Sequence, residues 1–98
     1  MSDVALDNVI HAPNRLQICA FLMPLEEAEF RVLKEELGVS DSVLSKHISK
    51  LQDAGYVALR KSLLNSRQRT WARLTPSGRE KLAAHLAALE QLVATARG

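Results

Sequence analysis

The stretch "ELGVSDSVLSKHISKLQDAGYVALRK", residues 36–61, changes its hydrophobic period in the middle. Leu44, Ile48 and Leu51 recur at steps of four and three, which places them on one face of a helix. Gly38 marks the end of a preceding helix, since glycine freely takes the left-handed conformation of a helix stop. Only Val39 then separates it from Ser40, a good N-cap whose hydroxyl can accept a backbone N–H. Gly55 stops the second helix, and "YVALRK" alternates as a strand does, with Val57 and Leu59 on one side. Two helices joined by so short a glycine-containing turn form a helix-turn-helix unit, here spanning 26–54.

Downstream, "TWARL" alternates too, with Thr70, Ala72 and Leu74 on one side. The two alternating runs flank "SLLNSRQR", a hairpin tip with Asn65 as its turn residue. Leu63 and Leu64 are exposed there unless one of them closes the hairpin base against the helices. Thr75 caps a final helix with Pro76 at its first position, running through "SGREKLAAHLAALEQLVATA". Leu82, Leu86, Leu89 and Val93 form a near-heptad seam flanked by alanines. Upstream, the spacing predicts a short helix to about His11 and a second from Pro13 to Leu22, closed by Pro24. A third is predicted over "EEAEFRVLKEEL", with Glu26, Glu27 and Glu29 crowding its first turn, where the helix dipole favours acids.

These elements describe one domain over residues 1–98, mainly α with a small β-hairpin. A helix-turn-helix followed at once by a hairpin is the winged helix-turn-helix arrangement, with 56–74 as the wing and a long C-terminal helix. A chain this short buries about 60 to 65% of its unfolded surface, so a shared core in an oligomer is attractive. The terminal segments 1–22 and 75–96 are the expected dimerisation helices, with Leu6, Ile10, Leu82, Leu86, Leu89 and Val93 at the interface. A stripe of that size would otherwise stand exposed on a monomer.

Net charge is only +2, but its distribution is uneven. Residues 1–39 carry three basic and seven acidic side chains, net −4; residues 40–73 carry seven basic and two acidic, net +5. A basic middle on a small fold is the footprint of a polyanion partner. Opposite the Leu44–Ile48–Leu51 stripe stand Ser42, Ser45, Lys46, Ser49, Lys50 and Asp53. Short hydroxyls let a helix backbone approach a groove and hydrogen-bond bases, while lysines neutralise phosphate. The same pattern can also be a merely solvated face. What favours DNA is the tight turn before it and the basic hairpin after it.

Ser40 and Ser42 lie at the helix N-terminus, which suits phosphate. Val43 offers an apolar contact such as a thymine methyl. Arg67 and Arg69 share one side of the outgoing strand, and Arg60 and Lys61 extend the patch on the incoming one. Arginines of a wing can follow the backbone or enter the minor groove; the alternative is a hairpin kept soluble by charge. Trp71 is read as an anchor that packs the wing to the body or supports an inter-subunit contact. His47, beside the apolar stripe, is read as a packing or hydrogen-bonding residue, and Cys19 as a small buried hydrophobe, with redox sensing as its alternative.

No Gly-rich phosphate loop, nucleophile elbow or metal-ligand spacing appears, so no enzyme activity, metal or cofactor is expected. No apolar run is long enough to span a membrane, and one cysteine forms no internal disulfide, which points to a cytoplasmic protein. Only Cys19 and the space between the terminal helices offer room for a small-molecule effector.

Residues 6–92 resemble the MarR/ArsR-type winged-helix transcriptional regulators, closest to the small stand-alone winged-helix DNA-binding domains. The most specific segments are "LSKHISKLQDAGYV" (Leu44–Val57) and "RTWARLTPSGRE" (Arg69–Glu80). The resemblance implies that Ser40–Ala54 is the recognition helix and "KSLLNSRQRT" the wing. It also implies a homodimer through the terminal helices and, in many members, repression. The chain departs from the family in carrying Ser42-Val43 where Gly-Asn is common, and Gln68 where a proline often separates the wing arginines. The implied partners are duplex DNA and a second copy. Two-fold symmetry would set two recognition helices about 34 Å apart on a near-palindromic operator. A protein–protein module using the same fold as an assembly scaffold is the competing reading, and the basic middle argues for DNA.

Overall fold

The computed structural model describes residues 6–98. Helices α1 (Asn8–His11) and α2 (Pro13–Leu22) are followed by a short edge strand β1 (Ala28–Glu29) and by α3 (Phe30–Leu37) and α4 (Asp41–Asp53). A hairpin of β2 (Val57–Leu64) and β3 (Arg67–Leu74) then leads into the long α5 (Pro76–Ala96). The arrangement is the expected winged helix-turn-helix, mostly helical with a small sheet.

Local chemistry sets most boundaries. Asp7 caps α1 by accepting from the Val9 and Ile10 N–H groups at 2.9 and 3.3 Å. Pro13 opens α2, where its missing N–H costs nothing. Gly38 ends α3 at φ +65, its N–H bonded to the Lys34 carbonyl, and Ser40 caps α4 through the Val43 N–H. The turn between α3 and α4 is therefore just Gly38, Val39 and Ser40, too short to let the two helices drift apart.

The third helix starts later than its glutamates suggest. Glu26, Glu27 and Glu29 do not form a first turn: Ala28 and Glu29 are strand β1, and α3 begins at Phe30. The physical reason lies across the sheet. Ala28 pairs with Ala72 and buries its methyl group in the core, while Glu29 pairs with Trp71. The sheet order is β1-β3-β2, all antiparallel. Its inner face carries Val57, Leu59, Ala72 and Leu74 onto the helices; its outer face carries Arg60, Ser62, Arg69 and Trp71.

The hairpin is longer than the two alternating runs indicated. Its tip is only Asn65-Ser66, both at positive φ (53° and 63°), the signature of a type I′ turn that matches strand twist. Neither Leu63 nor Leu64 closes the hairpin base: they are 76% and 50% exposed at the tip.

The core draws on every helix and on the sheet: Ile10, Ile18, Cys19, Leu22, Leu33, Leu44, Ile48, Leu51, Val57, Ala72, Leu74 and Leu82. Two expected interface residues are therefore relocated. Ile10 and Leu82 are fully buried inside the single chain, because α1 and the first turns of α5 pack together over α2. Leu6 is half-buried, whereas Leu86 and Val93 stand exposed on the outer half of α5.

The root of α5 is a close-packed joint. Thr75 accepts from the Gly78 N–H and donates its hydroxyl to the Gly55 carbonyl. Gly78 abuts the Tyr56 carbonyl so closely that a Cβ there would lie 2.1 Å from the oxygen. Arg79 reaches back to the Met23 and Leu25 carbonyls at 2.6 and 2.8 Å, tying α5 to the end of α2. The Leu-Thr-Pro-x-Gly-Arg run is thus a welded corner.

Candidate nucleic-acid interface

Helix α4 turns Leu44, Ile48 and Leu51 into the core and leaves Ser42, Val43, Ser45, Lys46, Ser49 and Lys50 exposed. The 13-residue helix is held in place by His47 as well as by its apolar stripe. Asn14 and Arg15 of α2 lie 3.3 Å from the two ring nitrogens of His47. Burial, then the charges of Arg15, Lys46 and Lys50, hold this histidine below its usual pKa, so it stays neutral and structural. Ser40 is occupied as a cap, with the Ser42 hydroxyl 3.2 Å from its own. Among the described residues Lys46 and Lys50 form no ion pair, so their charges face solvent uncompensated.

The wing arginines are less free. Arg60 binds Glu27 through Nε (3.1 Å) and Nη2, and its guanidinium lies 5.3 Å from the centroid of the Trp71 ring. Arg60 in turn holds the Glu27 carboxyl below the usual range. Arg69 donates from Nη1 to both oxygens of Glu29, at 3.0 and 3.1 Å. Trp71 donates its indole N–H to Ser62 on the neighbouring strand, 3.1 Å away. It braces the hairpin from the outer face instead of docking the wing on the body. Lys61 and Arg67 are exposed and, among the described residues, without an ion-pair partner.

Between α3, the start of α4 and the wing lies an open cleft of about 660 Å³ whose lining includes Phe30, Lys34, Asp41, Ser45, Gln68 and Thr70. Lys34 and Asp41 bridge it at 3.1 Å. The structure brings Ser45 of the helix and Arg67, Gln68, Arg69 and Thr70 of the wing to one concavity. It also sets Glu27 and Glu29, read from sequence as acids of a helix first turn, against the wing arginines. Their only signal was a pair of acids on either side of an apolar Ala28, a pattern that a strand and a helix start share.

Away from this face, Cys19 is fully buried, and burial pushes its thiol up to about 11, as suits a packing residue. Among the described residues no three His, Cys, Asp or Glu side chains converge to hold a metal ion, and no helix is long and apolar enough to cross a membrane.

Comparison with known proteins bears on the same features. The winged helix DNA-binding domain family matches residues 14–93, from the second helix to the outer part of α5. The chain belongs to that family. An uncharacterized protein of Methanocaldococcus jannaschii is 40% identical over 65 residues, covering 66% of this chain and 71% of that one. Among solved structures, the transcriptional regulator homologue from Pyrococcus horikoshii OT3 superposes with a TM-score of 0.86 at 27% identity. That match covers 94% of this winged-helix domain and 91% of the other chain. HlyU from Vibrio cholerae gives 0.65 at 25% identity, covering 76% and 77%. This is a winged-helix DNA-binding domain resembling MarR/ArsR-type transcriptional regulators, a class of regulatory modules and not of enzymes.

Proposed function

We propose that the chain is a sequence-specific duplex-DNA-binding transcriptional regulator, acting in the cytoplasm as a homodimer on a near-palindromic operator, with repression as its output. The observation that carries this reading is the exposed face of α4, where small hydroxyls alternate with two lysines that no carboxylate of the described residues neutralises. Ser42, Val43, Ser45, Lys46, Ser49 and Lys50 read the major groove and its rim. The α4 N-terminus at Ser40 meets a phosphate, and Lys61 and Arg67 of the wing follow the backbone.

The dimer rests on the outer half of α5. Leu86, Leu89 and Val93 line a shallow groove of about 450 Å³ with Ala94, and Leu86 and Val93 are exposed apolar side chains. A second copy covers them most economically through a two-fold axis, which sets the two α4 helices about one DNA turn, roughly 34 Å, apart.

An electrophoretic shift titration at two salt concentrations, with duplexes selected from a random library, tests the reading. Binding that weakens steeply with salt, to sites of two-fold symmetry, is the expected result. A stable dimer that shifts no duplex even at low salt would sink it and favour the assembly-scaffold alternative.

A further inference from the structure

Arg60 and Arg69 lie on the wing of a DNA-binding fold, yet both are engaged within the subunit. We propose that they are positioning residues: Glu27 and Glu29, at the edge strand β1, use them to fix the angle at which the wing leaves the body. The wing's phosphate contacts then fall to Lys61 and Arg67. This rests on the duplex-DNA reading above.

Three observations carry it. First, the Arg69–Glu29 pair is enclosed, the two side chains being 25% and 13% exposed. The Arg69 Nε is itself buried, so the side chain lies against the sheet even though it also lines the cleft. Turning Arg69 out to a phosphate would strand a mostly covered carboxylate, which is costly. Arg31 is a poor substitute: it is itself well exposed and comes no nearer than 3.9 Å to Glu29.

Second, Arg60 is used on two sides at once. Its Nε and Nη2 occupy both Glu27 oxygens, and its flat face covers Trp71. Third, the connectivity gives these pairs leverage. Strand β1 pairs with β3 on one side and runs directly into α3 on the other, so each ion pair links the wing to the helix-turn-helix unit. Lys61 projects from the opposite face of the sheet, the one shared with Thr70 beside the cleft, and Arg67 sits at the tip.

The test compares the salt dependence of binding to a selected operator for the intact chain, Arg69→Gln, Glu29→Gln, Arg67→Gln and the charge swap Glu29→Arg with Arg69→Glu. Positioning predicts that Arg69→Gln and Glu29→Gln both weaken binding with the salt slope unchanged, and that the swap restores most of the affinity. Arg67→Gln instead flattens the slope by about 1.8, the value for one lost phosphate contact in each subunit of the dimer. A slope flattened by about 1.8 in Arg69→Gln, together with tighter binding in Glu29→Gln, would overturn the proposal. So would a swap that restores nothing.

A second readout needs no DNA. Hydrogen exchange at the Trp71 indole, which is bonded to Ser62, should quicken in both single variants and recover in the swap. Unchanged exchange in the single variants would overturn the brace. An intact chain that binds no duplex would overturn the DNA reading, and the Trp71 exchange tells that result apart from failure of the brace.

Discussion

Helix α4 and the wing are both basic, and the comparison between them shows how little a charge count says about available charge. Lys46 and Lys50 extend from a helix face of serines with Asp53 at its end, and among the described residues neither forms an ion pair. Arg60 and Arg69 extend from a sheet whose edge strand brings two glutamates alongside. The net +5 of residues 40–73 thus divides into a free part and a part cancelled by acids about thirty to forty residues upstream in the chain. Secondary structure makes the difference: a helix face meets only its own sequence neighbours, whereas a strand meets whatever pairs beside it.

The largest effect is expected at α4. Replacing Lys46 and Lys50 with alanine removes two contacts from each subunit of the dimer, and should weaken operator binding on the order of 1,000-fold at physiological salt and flatten the salt slope by about 3.6. Binding measured at three salt concentrations checks this; an unchanged slope would mean that α4 is not the phosphate-facing element. Next comes the joint that holds wing and helix in one frame. Gly78→Ala puts a Cβ 2.1 Å from the Tyr56 carbonyl, and overpacking of this kind costs about 1 to 3 kcal/mol. A thermal melt several degrees below that of the intact chain is the expected result; an unaltered midpoint would show that the corner can yield.

Acid should loosen the same frame more gently. His85 is 1% exposed; its Nδ1 accepts from the Asp7 N–H at 3.0 Å, and Nε2 lies 3.3 Å from His11. Tyr56 also binds Asp7, from the α4–β2 corner. Burial, then the neighbouring His11, holds His85 below its usual pKa. The folded chain therefore binds fewer protons than the unfolded one below about pH 6.5, and stability falls as pH drops from there. Urea midpoints at pH 7.5 and 5.5 should differ in that direction, and His85→Gln should shrink the difference. The smallest change is expected at the wing tip. Ser66→Gly relieves a non-glycine φ of 63° but loosens the unfolded chain, so the net stabilisation should be about 0.5 kcal/mol or less. Operator affinity unaltered by that change would separate tip flexibility from tip charge.

Much of this fold could be read from residues whose chemistry is local. Pro13, Ser40, Gly38 and the Thr75-Pro76 pair each satisfy or remove a backbone donor at a helix end, and such needs leave their mark within four residues. Strand β1 left a fainter one. In the run "EEAEF" the acids equally suit a helix start, and only pairing with Ala72 and Trp71, more than forty positions on, decides for the strand. The same blindness to distance explains the seam of α5. Leu82 and Leu86 look equivalent by period, yet α1 and α2 cover the first and leave the second open. The exposed serines and lysines of α4 were legible because they depend only on which face the core takes.

Helix α5 behaves as a lever arm. Its 21 residues make a rod of about 31 Å, clamped at one end by Gly78 and Arg79 and bare along its far half. A tilt of about 5° at the clamp would carry the far end roughly 3 Å sideways on a rod of this rise per residue. Whatever grips that far end therefore acts on the body through a long arm, with the Tyr56–Gly78 contact as the fulcrum.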